Sequence, residues 1–266
     1  MILNDWLTQW LEVYKIPYLK ESSIKRINVS IRNHIPKWLK DKNLEELTAF
    51  DIDKALASIP HSRSRKYSYY IITNALHRAY CLDLIKSDLS RKVNLIKHKQ
   101  KRGNALTHEE QEKFLEQIKN TKLENAFKFL LYTGVRRGEL LSLRFSDVLY
   151  NDGLIFIRGT KTESSERYII LSSDARGILE SQKKLVDGDI FFPYNGDLLT
   201  HTFKRLCPTH KLHDLRHTFI TRCAESGVNV KVCQYLVGHK SLYTTLGIYT
   251  HVIIEFAKLE FKKFKA

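Results

Sequence analysis

Three phrases in the last third of the chain decide how it is read: His213-Asp214-Leu215-Arg216, then Val237-Gly238-His239, then Thr244-Thr245-Leu246-Gly247-Ile248-Tyr249-Thr250-His251. A His and an Arg three residues apart on a helix share one face, because positions i and i+3 are neighbours on its surface. Both can therefore reach one anionic group, the Arg through a planar fork of donors and the His through its imidazole. His239 and Tyr249 follow at short range, on successive helical segments. Two imidazoles, a guanidinium and a phenol suit phosphoryl transfer, in which stabilising charge on phosphate oxygens dominates catalysis. With thirteen Tyr and eleven His in the chain, their nearness is weak evidence alone. The remaining members of such a site must be found upstream.

Ala105-Leu106-Thr107-His108-Glu109-Glu110 has Thr107 and Glu110 at capping-box spacing, opening a helix to about Lys119. Leu123 to Tyr132 reads as a second helix, broken by Thr133-Gly134, and Val135-Arg136-Arg137-Gly138-Glu139-Leu140 starts another. A tight Gly turn presenting Arg136 at a helix start, with an acid one turn on, suits an anion site. Leu154–Ile157 and Tyr168–Leu171 are β-branched and aromatic, and the polar run from Arg158 to Arg167 between them reads as a hairpin tip carrying Lys161. Helices are expected over Asp174–Leu185, Leu199–Leu206, Asp214–Glu225 (ended by Gly227) and Val230–Leu236.

The ordered phrases T-G-x-R-x-x-E-L from Thr133, T-K-T from Thr160, H-x-x-R from His213, G-H from Gly238 and I-Y-x-H from Ile248 resemble the tyrosine recombinases, also called phage-type integrases. The resemblance covers roughly Ala105 to Val252, and Val237 in place of the usual Leu is its small departure. It implies a fold that is mainly α with a small β-hairpin or sheet, an all-α core-binding domain preceding a mixed α/β catalytic domain. It implies catalytic roles for Arg136, Lys161, His213, Arg216, His239 and Tyr249, with Glu139 supporting them. In that scheme Tyr249 attacks phosphorus to form a 3′-phosphotyrosyl link, Lys161 protonates the departing 5′ oxygen, His213 assists proton transfer, and His239 hydrogen-bonds a non-bridging oxygen. A Tyr of free pKa near ~10 is a weak nucleophile and needs such surroundings. Bond energy is conserved, so no cofactor and no metal is expected, and no carboxylate cluster suggests a two-metal nuclease.

The resemblance also implies double-stranded DNA as partner, a homotetramer on two DNA sites, and a role in integrating or excising a mobile element. Accessory DNA-bending or directionality proteins are compatible with it. The amphipathic tail from His251 to Ala266 packs on its own domain or docks in trans. Xer-like dimer resolution competes for the biological role, and the short two-domain length favours that simplicity. A type IB topoisomerase shares the chemistry, but G-H-x-S and I-Y-x-H favour a recombinase. A non-catalytic DNA-binding module is the alternative from another class, and the complete six-residue set argues against it.

Composition agrees. The 266 residues hold 44 Lys and Arg against 29 acids, a net charge of +15, which favours a polyanionic partner. The chain suits a helical DNA-binding domain over 1–90, a basic linker over 91–104 and a catalytic domain over 105–266. Lys97, Lys99, Lys101 and Arg102 of the linker could follow a DNA backbone. In the first domain, helices are expected over 5–14, from a Ser22 or Ser23 cap to Pro36, over Asp51–Ala57 and over Ser62–Cys81. Trp6, Trp10 and Val13 fall at helical spacing and read as core, as do Tyr69, Ile72, Ala75, Leu76 and Tyr80. Arg63, Arg65 and Lys66 at the start of the last helix are candidate phosphate contacts. This region resembles the family's core-binding domain more weakly, through its four-helix layout and Leu47-Thr48-Ala49-Phe50-Asp51-Ile52, and leaves no room for a further arm-binding domain ahead of it. Four cysteines without a C-x-x-C pair read as reduced, buried thiols, and no signal peptide or membrane-length apolar run is seen, which fits a cytoplasmic protein.

Overall fold

The computed structural model describes residues 1–94, 103–159 and 166–250. The chain forms two compact units, Met1–Lys101 and Arg102–Ala266.

Unit 1 is built on the helix α5 (Ser62–Cys81), against which α1 (Leu3–Tyr14), α2 (Glu21–Asn33) and α4 (Ala49–Ser58) pack. A short α3 (Lys37–Lys40) follows Pro36, a fifth helix that four apolar stripes did not announce. Trp6 and Trp10 are buried, and the Trp6 indole donates to the Ala75 carbonyl at 2.8 Å, so these rings are core rather than base-stacking platforms. Val13 and Tyr80 point to solvent; the faces of α1 and α5 are completed instead by Leu3, Leu7, Ile71 and Ala79. The start of α2 also differs from expectation. Ser23 and Ile24 donate backbone N–H groups to the Lys20 carbonyl, so the helix begins before either serine could cap it. At α4, Thr48 accepts from the Asp51 N–H while Asp51 accepts from the Thr48 N–H, a complete capping box.

Unit 2 opens on the expected box, Thr107 with Glu110, capping α6 (His108–Ile118). The helix α7 (Glu124–Thr133) is buried between α6, α9 (Ser173–Lys183) and α11 (Asp214–Glu225). Phe114, Phe127 and Phe203 of α6, α7 and α10 (Gly196–Leu206) meet there, two of the pairs edge to face. Each such buried ring contributes roughly 1.5–3 kcal/mol of transfer free energy.

After the five-residue α8 (Arg137–Leu141), three strands form an antiparallel sheet in chain order: β1 (Val148–Leu149), β2 (Leu154–Ile157) and β3 (Arg167–Ile170). Leu154 pairs with Ile170 and Ile157 with Arg167. Alternation along β3 buries Arg167 and Ile169, so the strand begins one residue earlier than its apolar run, on a buried guanidinium.

Two further helices, α12 (Val230–Val237) and α13 (residues 242–250), close the unit. They pack with α11 around a small cluster of Ile220, Cys223, Cys233, Val237 and Tyr249. Cys223 and Cys233 are buried as expected, whereas Cys81 at the end of α5 is exposed. Among the described residues no helix is long and apolar enough to cross a membrane.

Candidate active site

Arg136 stands at the N-cap of α8 because Gly134 turns the chain there. Gly134 has φ +63°, and a Cβ on it would lie 2.5 Å from the Phe219 ring, so both conformation and space demand glycine. With five residues, α8 is too short for its dipole to build an anion site; the guanidinium itself must do so. Glu139, one turn on and 1% exposed, accepts from the Arg136 backbone N–H at 2.8 Å and from its Nη1 at 2.6 Å. Arg136 Nη2 donates to the Gly238 carbonyl at 2.6 Å, which ties α8 to the turn after α12.

That turn carries His239. Gly238 has φ +65°, the left-handed closure of α12. The imidazole Nδ1 lies 2.9 Å from Thr245 Oγ1, and its backbone carbonyl accepts from Gln234 Nε2 at 3.0 Å. Thr245 is wholly buried on α13, so the helix that bears Tyr249 also fixes the His239 ring.

Arg216, 2% exposed on α11, donates Nη1 to the Gly134 carbonyl at 2.8 Å. Its Nε and Nη2 are buried without a hydrogen-bond partner. Burial, then the neighbouring Arg136, pushes its pKa down to about 9. His213, one turn before Arg216, sits at the rim with its ring 5.1 Å from that of His217, edge on. The protein packed around it, then His217, Arg216 and Arg136, lowers its pKa to about 4, although the exposed part of the side chain lets water screen that effect. Burial, then Arg216 and Arg136, lowers His239 to about 3. Arg136, Glu139, His213, Arg216 and His239 thus gather as one positively biased cluster of neutral imidazoles and charged guanidiniums.

Tyr249 is placed differently. It is 5% exposed, and its hydroxyl donates to the Val228 carbonyl at 3.0 Å. Burial and the adjoining Cys233 push its pKa up, away from an ionised nucleophile. Lys161 lies outside the described residues, as do Lys97, Lys99, Lys101, Arg102 and the tail from 251.

Of the candidate phosphate contacts in unit 1, Arg63 is exposed and lines a groove of about 450 Å³ with Arg26, His34 and Tyr67. Arg26 stacks on Tyr67, its Cζ 4.1 Å from the ring centroid. Lys66 lies over Tyr70 at 5.9 Å. Arg65 donates both Nε and Nη2 to the Ile59 carbonyl, at 2.9 and 2.7 Å, closing the turn between α4 and α5.

Sequence reasoning also missed Arg167 and His217. Arg167 was read as part of the polar hairpin tip, yet it donates to both Glu139 oxygens at 3.2 and 3.0 Å. Counting back by twos from the inward Ile169 would have found it. His217 could have been found four residues after His213 on the same face. A cavity of about 1190 Å³ between α7 and α9 contains none of these side chains.

Residues 104–255 match the model of the phage integrase family, and residues 2–58 that of the phage integrase N-terminal SAM-like domain. The chain belongs to the phage integrase family. It is a tyrosine-type site-specific recombinase, an enzyme that breaks and rejoins DNA strands. "Tyrosine recombinase XerA" of Saccharolobus solfataricus is 28% identical over 263 residues, covering 91% of this chain and 86% of that protein. The fold is that of the Tn1549 transposon integrase bound to a circular intermediate DNA, with a TM-score of 0.82 at 19% identity over 99% of this chain and 100% of that one. A lambda integrase tetramer bound to a Holliday junction aligns at a TM-score of 0.81 and 21% identity, over 93% of this chain and 77% of that one.

Proposed function

We propose that this recombinase cuts DNA through a covalent 3′-phosphotyrosyl intermediate on Tyr249, with Arg136, Arg216 and His239 holding the scissile phosphate. Arg216 carries the argument: a buried guanidinium with two donors aimed at no protein acceptor. Leaving such donors unsatisfied is costly unless a ligand completes them. Arg136, Arg167 and Arg216 outnumber Glu139 by two positive charges. A phosphodiester brings one negative charge and its five-coordinate transition state two, so the excess favours the transition state over the ground state.

The imidazoles of His213 and His239 are neutral at pH 7. Each can therefore donate or accept one proton, His213 toward the reacting oxygens and His239 toward a non-bridging oxygen. Lys161 is assigned the protonation of the leaving 5′ oxygen. Tyr249 must first give up the Val228 carbonyl, so cleavage includes a movement of α13 that exposes the phenol. A 5′ hydroxyl then attacks the phosphotyrosine, and the strand is resealed with its bond energy kept.

Unit 1 is assigned to grip the duplex, with Arg63 and Arg26 of its groove on the phosphates and the residues around 91–104 as linker. Four protomers on two DNA sites, with tails docked in trans, complete the reaction; the tetrameric lambda integrase on a Holliday junction supports that assembly. Accessory DNA-bending or directionality proteins would then choose the direction of exchange, and the reaction is placed in the cytoplasm. Integration or excision of a mobile element is the role we favour, on the likeness to a transposon integrase. The near full-length match to XerA favours dimer resolution as the second reading.

The test uses nicked duplexes from DNA flanking the gene, with EDTA present and products run on a denaturing protein gel. Wild type should give a covalent protein–DNA band that Tyr249→Phe lacks. Tight binding with no band on any flanking sequence would favour a DNA-binding module instead.

A further inference from the structure

Arg167 lies outside the six residues that the reaction uses, yet it is 4% exposed and closes a ring of hydrogen bonds through the site. Its Nη1 and Nη2 donate to the two Glu139 oxygens at 3.2 and 3.0 Å, and its Nε donates to the Leu236 carbonyl at 2.7 Å. The same Glu139 carboxylate accepts from Arg136, and Arg136 donates to the Gly238 carbonyl two residues after Leu236. The ring therefore runs Arg136, Glu139, Arg167, Leu236, Gly238 and back to Arg136, and joins α8, β3 and the end of α12.

We propose that Arg167 is a positioning residue for strand cleavage, locking Arg136 and the Gly238–His239 turn into one rigid unit through Glu139 and the Leu236 carbonyl. This rests on the reading of the cluster as a phosphodiester-cleaving centre. Charge, geometry and space support it.

The first is charge. Glu139 paired with Arg136 alone would cancel the charge that the phosphate needs. A second guanidinium on the same carboxylate leaves the trio at +1, and Arg216 raises the cluster to +2. Burial works against the Glu139 charge, but the bonds from Arg167 and Arg136 hold its pKa below the usual range, so it stays ionised.

The second is geometry. A carboxylate accepting four charge-assisted or backbone bonds has little freedom left, so Arg136 is aimed before DNA arrives. Only a guanidinium can serve both carboxylate oxygens and a carbonyl in one plane; a Lys ammonium cannot. The third is space. A Cβ on Gly238 would lie 2.9 Å from Arg167 Nη1, so the His239 turn closes directly onto this side chain.

The experiment compares wild type with Arg167→Lys, Arg167→Met and the neutral pair Arg167→Met with Glu139→Gln. The pair removes both buried charges and keeps a foldable variant should Arg167→Met alone not fold. Four quantities are read: thermal stability, DNA affinity, inorganic phosphate binding through the His239 imidazole signals in NMR, and single-turnover covalent complex on the nicked duplexes. Arg167→Lys should keep DNA affinity within about twofold while the cleavage rate falls on the order of 10²-fold, the cost of ångström-scale misplacement. Its phosphate dissociation constant should rise, and the neutral pair should lose both activities while remaining folded. Wild-type rate and phosphate affinity in Arg167→Lys would overturn the proposal. So would a loss of rate that tracks melting temperature across the variants, which marks a purely structural role. A wild type whose His239 signals ignore phosphate would overturn it too, for there would be no anion cluster to organise. If phosphate binding depends on Arg167 but wild type forms no covalent complex, the positioning role stands and the phosphotyrosyl reading falls.

Discussion

At the scale of single residues, the site is governed by where glycine is compulsory. Gly238 closes α12 at φ +65° and faces an Arg167 that three hydrogen bonds keep from moving aside. Alanine there takes a left-handed conformation costing about 1–2 kcal/mol and must also displace Arg167. Gly238→Ala should therefore lower the melting temperature by several degrees, on the order of 2–4 °C per kcal/mol for a unit of this size. It should also slow cleavage, because His239 is the next residue. A variant with unchanged melting temperature and rate would show that the turn is soft. The G-H phrase was legible in the sequence because its glycine and histidine are adjacent in the chain. The inward face of Arg167 follows from strand alternation, but its role does not, because its partners Glu139 and Leu236 are 28 and 69 residues away. The burial of Tyr249 on Val228 was equally hidden: a phrase that names a nucleophile does not say which state its side chain is in.

At the scale of elements, helix ends written by side chains were readable and those written by the backbone were not. Thr48 with Asp51 and Thr107 with Glu110 both form the boxes their spacing implies, and α5 and α11 run over the residues that apolar periodicity and terminal signals assign. The start of α2 is set by N–H groups bonding to the Lys20 carbonyl, for which Ser22 and Ser23 were misleading cues. The two-residue β1 and four-residue α3 are too short for any periodicity to show. Thr48→Ala and Thr107→Ala should each cost about 0.5–2 kcal/mol. The loss should appear as faster amide exchange at Asp51 in the first variant and at Glu110 in the second, since those N–H groups donate to the threonine hydroxyls. Exchange unchanged at either amide would mean that tertiary packing, not the cap, holds that helix end.

At the scale of the whole molecule, the buried cationic cluster makes stability and DNA binding respond to pH in opposite directions. His213 and His239 have folded pKa values of about 4 and about 3, and His217 is also lowered, chiefly by burial. The unfolded chain, with His near ~6.5, binds more protons than the folded one below that pH. Stability of the free protein therefore falls as pH drops from about 6.5 toward 4. The lowered carboxylates, Glu139 and Asp51 among them, add to the loss only below their ordinary range. Between pH 6.5 and 5 the histidines should dominate, and His239→Gln should flatten the slope of melting temperature against pH. A bound phosphate offsets the Arg216 and Arg136 charges that add to burial in depressing His213 and His239, raises their pKa values and takes up protons. DNA affinity should then rise over the same interval in which the free protein weakens. It should also fall steeply with added salt as phosphate contacts release counterions, about 0.9 of a log unit per log unit of salt for each contact. Fluorescence anisotropy at pH 5.5, 6.5 and 7.5, at fixed ionic strength, separates the two effects. Affinity independent of pH would mean that DNA leaves these imidazoles in the field they feel when free, and hence that the phosphate does not enter the cluster of Arg136, Arg216 and His239.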